Sequence, residues 1–132
     1  MHPYLRAYMA GAALPTMVVP LVIVGIAVQQ PTVHGFHVED VLIFPIGLVP
    51  IAWGLWNALH VWVRRYREIP CSVFGSLLPF ILAPLAFGLQ LALDRVIWTP
   101  ALFAIGFPVT LAVYYLAWKH IVARFNDVLG LG

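Results

Sequence analysis

The sequence predicts an all-α integral membrane protein, a single bundle of four transmembrane helices kinked by proline, with both termini in the cytoplasm. Three observations lead there. The first is composition: 63% of residues are hydrophobic, 9% are charged and the mean hydropathy is +0.96. An ordinary globular domain is about 45–50% apolar and about 25% charged. The second is that the apolar residues fall into four stretches separated by short polar connections. The third is a proline–glycine pattern that occurs in two of those stretches. Residues 1–132 therefore read as one four-helix domain, with no stretch left over for a separate soluble catalytic domain.

The predicted spans are residues 8–28, 41–63, 72–93 and 98–122. Each holds about 21 to 25 residues, enough at ~1.5 Å per residue to cross a hydrocarbon core of about 30 Å. The first span follows Arg6, which invites comparison with a secretory signal. The run is longer than a signal core, contains Pro15 and Pro20, and ends in Val-Gln-Gln rather than at a small-x-small site. It is therefore read as a membrane helix.

The connection before span two is polar and contains Pro31, Gly35, Glu39 and Asp40, whereas the one after it is basic, with Arg64, Arg65 and Arg67. The third connection is very short, so spans three and four are expected to be antiparallel neighbours. Arg6, Arg64, Arg65, Arg67, Lys119 and Arg124 lie on one side of this frame and Arg95 alone on the other. The positive-inside rule then places the termini and the second connection in the cytoplasm, most simply across a bacterial inner membrane. Trp62, Tyr66, Trp98 and Trp118 fall near span ends, where amphipathic rings favour the headgroup level.

The repeated pattern is Pro45-x4-Pro50-x3-Gly54-x3-Ala58-Leu59 in span two and Pro79-x4-Pro84-x3-Gly88-x3-Ala92-Leu93 in span three. Consecutive spans run in opposite directions, as do the inverted repeats of alternating-access transporters. A short pattern in a proline-rich apolar sequence also arises by chance. In a continuous helix, Pro20, Pro50, Pro84 and Pro108 would free the carbonyls of Thr16, Ile46, Phe80 and Ala104. Such bends either line a cavity with carbonyls or merely shape a compact bundle. The small pairs Ala7/Gly11, Gly54/Ala58 and Gly88/Ala92 let backbones approach, within the bundle or between copies.

No Asp, Glu, Lys or Arg lies clearly within a span, which counts against a proton-coupled antiporter. Trp53, Asn57, His60 and Arg64 share one helical face of span two, and Thr110, Tyr114 and Trp118 descend one face of span four. The expectation is a cytoplasmic-half cluster of Asn57, His60 and Tyr114, with Trp53 beside it. It would either bind a small ligand or lipid headgroup or simply hold the helices together. The His34-x2-His37-x-Glu39 segment carries metal-ligand residue types but matches no strong zinc signature, so an ordinary polar loop is the preferred reading. Cys71 is the sole cysteine, excluding an intrachain disulfide, and is read as a passive residue at a helix start.

No cofactor is expected, and no basic face suited to nucleic acid is present. No nucleophile elbow, phosphate loop or nucleophile–base pair appears, so an enzyme is the less favoured reading. The leading expectation is transport, permeation or binding of a neutral or amphiphilic small ligand. The alternatives are a non-catalytic subunit or scaffold of a membrane assembly, and a membrane enzyme acting on a lipid-like substrate through His60 or the His34/His37 segment. The lipid bilayer is the first partner, followed by a second copy of the chain, most simply in a dimer, or another membrane protein.

Overall fold

Proline and glycine punctuate a chain whose described residues are mostly helical. The structure is a computed structural model describing residues 1–29, 47–92 and 99–132. Helix α1 is Pro3–Gln29, α2 Val49–Val63, α3 Cys71–Ser76, α4 Leu78–Ala92 and α5 Pro100–Ala117. A π-helical turn, Trp118–Val122, joins α5 to α6, Ala123–Val128. No strand occurs among the described residues.

Among the described residues, three segments are long and apolar enough to cross a membrane: Pro3–Gly25, Cys71–Ala92 and Pro100–Val128. The predicted second span is seen from Val49 onward; its residues 41–46 lie outside the described residues, as does the expected freed carbonyl of Ile46. Pro50 sits in the first turn of α2, where a missing N–H breaks no intrahelical bond.

Several boundaries differ from the predicted ones for local reasons. Helix α1 starts at Pro3 rather than Tyr8, because proline suits a first helical position. The backbone N–H groups of Leu5 and Arg6 reach His2 O at 3.0 and 3.2 Å. At the start of α5, Thr99 Oγ1 accepts from Leu102 N at 3.3 Å and Pro100 opens the first turn. The last helix continues past Val122 to Val128. There Gly130 takes φ 68°, Leu131 N donates to Asn126 O at 2.7 Å, and Gly130 N donates to Asp127 O at 3.0 Å. That is a Schellman stop, and its left-handed residue is the glycine that tolerates it.

Pro15, Pro20, Pro84 and Pro108 all lie inside helices that continue through them. The third span breaks elsewhere, at Leu77, two residues before Pro79. Leu77 N and Phe80 N there make short-range bonds to Phe74 O and Leu77 O at 3.3 and 3.2 Å. Pro79 supplies no N–H and crowds the preceding turn, which accounts for the interruption.

Helices α1 and α2 run antiparallel, as do α4 and α5. Ala7 meets Asn57 and Gly11 meets Trp53 between α1 and α2; Phe80 meets Phe107 and Phe87 meets Phe103 between α4 and α5. A Cβ on Gly11 would collide with Trp53 O, and one on Gly54 would lie 2.6 Å from the Tyr8 ring. Two of the predicted small-residue pairs thus serve the α1–α2 contact. Gly88 is different, with nothing within 4 Å of where its Cβ would sit. The two copies of the proline–glycine pattern are therefore not equivalent in packing.

The core lies at the basic end of the bundle. Trp53, Leu78, Trp118 and Val122 form its apolar centre. Trp118, expected at the membrane surface, is fully buried because Gly75 leaves a slot beneath its ring that even a methyl group would fill. The other end presents exposed Leu21, Val24, Val28, Ile105 and Val109. Arg6 closes the basic end by donating through Nη1 to Leu129 O at 2.9 Å.

Candidate functional site

The phenylalanines of α4 and α5 set the width of an apolar groove. Phe80 meets Phe107 edge-on, with centroids 5.1 Å apart, and Phe87 meets Phe103 at the same separation. Between these ring pairs the walls are Ala83, Ala86 and Gly106, too small to fill the gap. A cleft of about 250 Å³ remains on the flank of the bundle. Pro79 and Leu82 line it from α4, Val49 closes it from α2, and Thr110 and Tyr114 add hydroxyl-bearing side chains from α5. Thr110 Oγ1 donates to Gly106 O at 2.8 Å, a bond within its own helix. The cleft therefore offers dispersion contacts and little fixed polarity, which suits a hydrocarbon chain or a small ring.

Tyr114 connects the groove to the core. Its ring packs edge-on against Trp53 at 4.9 Å, and Trp53 lies 5.5 Å from Trp118. Val49, Leu82 and Tyr114 all touch the buried core cluster as well as the groove. The wall is thus backed by packed aromatic rings.

Asn57 and His60 are placed differently. Asn57 is wholly buried, and its Nδ2 donates to Ala7 O and to Asn126 Oδ1, both at 2.7 Å. Asn126 Nδ2 returns a bond to Asn57 Oδ1 at 3.0 Å and approaches Cys71 Sγ at 3.9 Å. Helices α1, α2, α3 and α6 therefore meet at one polar knot. His60, expected as part of an accessible cluster, is 1% exposed. Its Nε2 pairs with Ile69 O at 3.0 Å, and its ring lies 5.0 Å from Phe74.

Of the four residues selected from sequence, Tyr114 lines the groove and Trp53 backs it. Neither Asn57 nor His60 is among the groove-lining residues. Asn126 was missed. It lies beyond the predicted end of span four, in a segment whose polar residues resemble a solvated tail. The π turn brings it inward: Ala123 N bonds to Trp118 O, five residues back. Each wide turn advances less per residue than an α-turn, which keeps Tyr114, Trp118, Val122 and Asn126 along one side.

The lining of a second pocket, at the basic end, includes His60, Arg64, Glu68, Ile69, Pro70 and Cys71. Among the described residues no group of three or more His, Cys, Asp or Glu side chains is placed to hold a metal ion. His34, His37 and Glu39 lie outside the described residues.

Compared with known proteins, the chain matches no family model, no curated protein sequence and no solved structure. Fold and groove define a protein whose described residues hold helices and no strand, three of those helices long and apolar enough to cross a membrane, with an apolar cleft on its flank.

Proposed function

We propose that this chain lies in a bacterial inner membrane, basic end toward the cytoplasm, and binds an apolar or amphiphilic small ligand in the α4–α5 groove. The observation that carries this reading is the groove itself, an apolar cleft held open by ring pairs and walled by Ala83, Ala86 and Gly106. Its volume of about 250 Å³ falls just below the ~300–1,000 Å³ typical of drug-sized ligand sites. The occupant is accordingly a single hydrocarbon segment, not a whole phospholipid. Transport or permeation is the use most compatible with a site that opens on the flank, because a ligand dissolved in lipid reaches it laterally.

The test is photolabelling of the full-length protein in lipid nanodiscs with a diazirine-bearing fatty alcohol. Labels should map to α4 and α5, and Gly106→Leu should reduce labelling several-fold while leaving thermal stability close to wild type. Open space surrounds the Gly106 Cβ position, so the added side chain has room to enter the groove. Labelling unchanged by this substitution, or spread evenly over the lipid-facing helices, would overturn the reading.

A second reading, as a subunit associating through a helix face, is favoured by Gly88 and Ala92. This small pair faces open space, and such pairs support close helix contacts in lipid. Gly88→Leu should then lower the oligomer fraction, or the recovery of a membrane partner, without changing groove labelling.

A further inference from the structure

The pocket under the α2–α3 connection joins opposite charges that do not neutralise each other. Helix α2 ends at Val63, and the chain turns back with Tyr66 N and Arg67 N bonded to Val63 O at 2.8 and 2.9 Å. His60 secures the returning chain of this turn through its contact with Ile69 O, while Pro70 and Cys71 begin the next segment. His60 is 1% exposed, and its Nδ1 is buried without a hydrogen-bond partner among the described residues. The resulting space is about 530 Å³, open on one side, and both Arg64 and Glu68 line it.

Arg64 commits Nη1 to Leu131 O at 3.1 Å, leaving its other donors for a ligand. Glu68 has no hydrogen bond or ion pair among the described residues, and it forms none with Arg64. A bare anion would meet the Glu68 carboxylate as well as the guanidinium, and a bare cation would meet the reverse conflict. A group carrying both charges satisfies both residues. Trp62 and Tyr66, paired edge-on at 5.4 Å and exposed, flank this connection as headgroup-level aromatics do.

We propose that this pocket binds a zwitterionic phosphoammonium group, supplied by a phospholipid headgroup of the cytoplasmic leaflet. The phosphate is held by Arg64, which offers a planar set of N–H donors, and the ammonium by Glu68. His60 is a positioning residue that shapes the pocket by holding Ile69. The inference requires the bilayer location but not an occupied groove.

The experiment is native mass spectrometry of the full-length protein during stepwise delipidation from equimolar phosphatidylethanolamine and phosphatidylglycerol. Wild type should retain phosphatidylethanolamine several-fold over phosphatidylglycerol. Glu68→Gln should abolish that preference with unchanged thermal stability, since Glu68 is exposed and makes no hydrogen bond or ion pair among the described residues. Arg64→Gln should lower retention of both lipids, and the reversed pair Arg64→Glu with Glu68→Arg should restore part of the preference. Soluble phosphoethanolamine should displace the lipid better than inorganic phosphate does. Equal retention of the two lipids by wild type, or a preference untouched by Glu68→Gln, would overturn the proposal. Phosphoethanolamine binding with no retained lipid would overturn the lipid source. Gly106→Leu should leave headgroup retention unchanged, which separates failure here from failure of the groove reading.

Discussion

Asn57 and Asn126 each donate a hydrogen bond to the other's side-chain oxygen, at 2.7 and 3.0 Å, joining α2 to α6 inside the core. The same Asn57 Nδ2 also reaches Ala7 O on α1. Both amides are buried, at 0% and 3% exposure, so neither has water as an alternative partner. The pair explains how two buried amides are accommodated in a largely apolar bundle: each gives the other's oxygen a donor.

That arrangement predicts strong coupling in a double-mutant cycle. Asn57→Ala should cost more than Asn126→Ala, because it also removes the bond to Ala7 O; a lost hydrogen bond costs about 0.5–1.5 kcal/mol. The double variant should be less destabilised than the sum of the singles, with a coupling of about 0.6–2 kcal/mol. Thermal unfolding in detergent or nanodiscs supplies the four values. Strict additivity would mean that the two amides do not depend on each other.

Glycine contacts separate helix faces that pack from helix faces that do not. The Trp118 ring occupies the space beside Gly75, so Gly75→Ala overpacks the core and should cost about 1–3 kcal/mol. Gly88 lies within α4 with nothing near its Cβ position. Gly88→Ala should therefore be neutral or stabilise by up to about 1 kcal/mol, as alanine favours the helix. Equal effects of the two substitutions on melting temperature would contradict the packing of Trp118 against Gly75.

The contrast between Asn57 and Asn126 shows what was legible in the sequence. Asn57 stood out because it interrupts an apolar helix, and its helical spacing from Trp53 and His60 placed it on the correct face. The small residues Ala7, Gly11 and Gly54 likewise read correctly as packing positions. Asn126 was hidden because the apolar run ends before it and no 3.6-residue periodicity announces a π turn. The burial of His60 was hidden for a different reason. It depends on the connection folding back to place Ile69 O against the ring, a contact set by the loop rather than by the helix.

The π turn makes a prediction of its own. Lys119 and His120 are exposed, so removing one of them deletes no core side chain. A π turn takes up one extra residue, so deleting His120 should convert it to ordinary α-helix and leave α6 facing much as before. Asn126 should stay in the knot, and Asn126→Ala should cost as much in that background as in the full-length chain. An Asn126→Ala cost that vanishes in the deletion background would show that the lost residue had turned Asn126 away from Asn57.

The break at Leu77 supplies the last test. Trp56 Nε1 donates to Phe74 O at 2.7 Å, bridging α2 to the last turn of α3 just where Pro79 interrupts regular helical bonding. Its ring also lies 4.8 Å from that of Phe74. Trp56→Phe keeps an aromatic ring but removes the donor, and should cost about 0.5–1.5 kcal/mol for the lost bond. Pro79→Ala restores a backbone N–H and relieves the crowding, so the segment from Cys71 to Ala92 can become more regular. If the tryptophan compensates for the proline break, Trp56→Phe should cost measurably less in the Pro79→Ala background than in wild type. Equal costs in both backgrounds would make the indole bond an independent tether between α2 and α3, and would detach it from the interruption at Leu77.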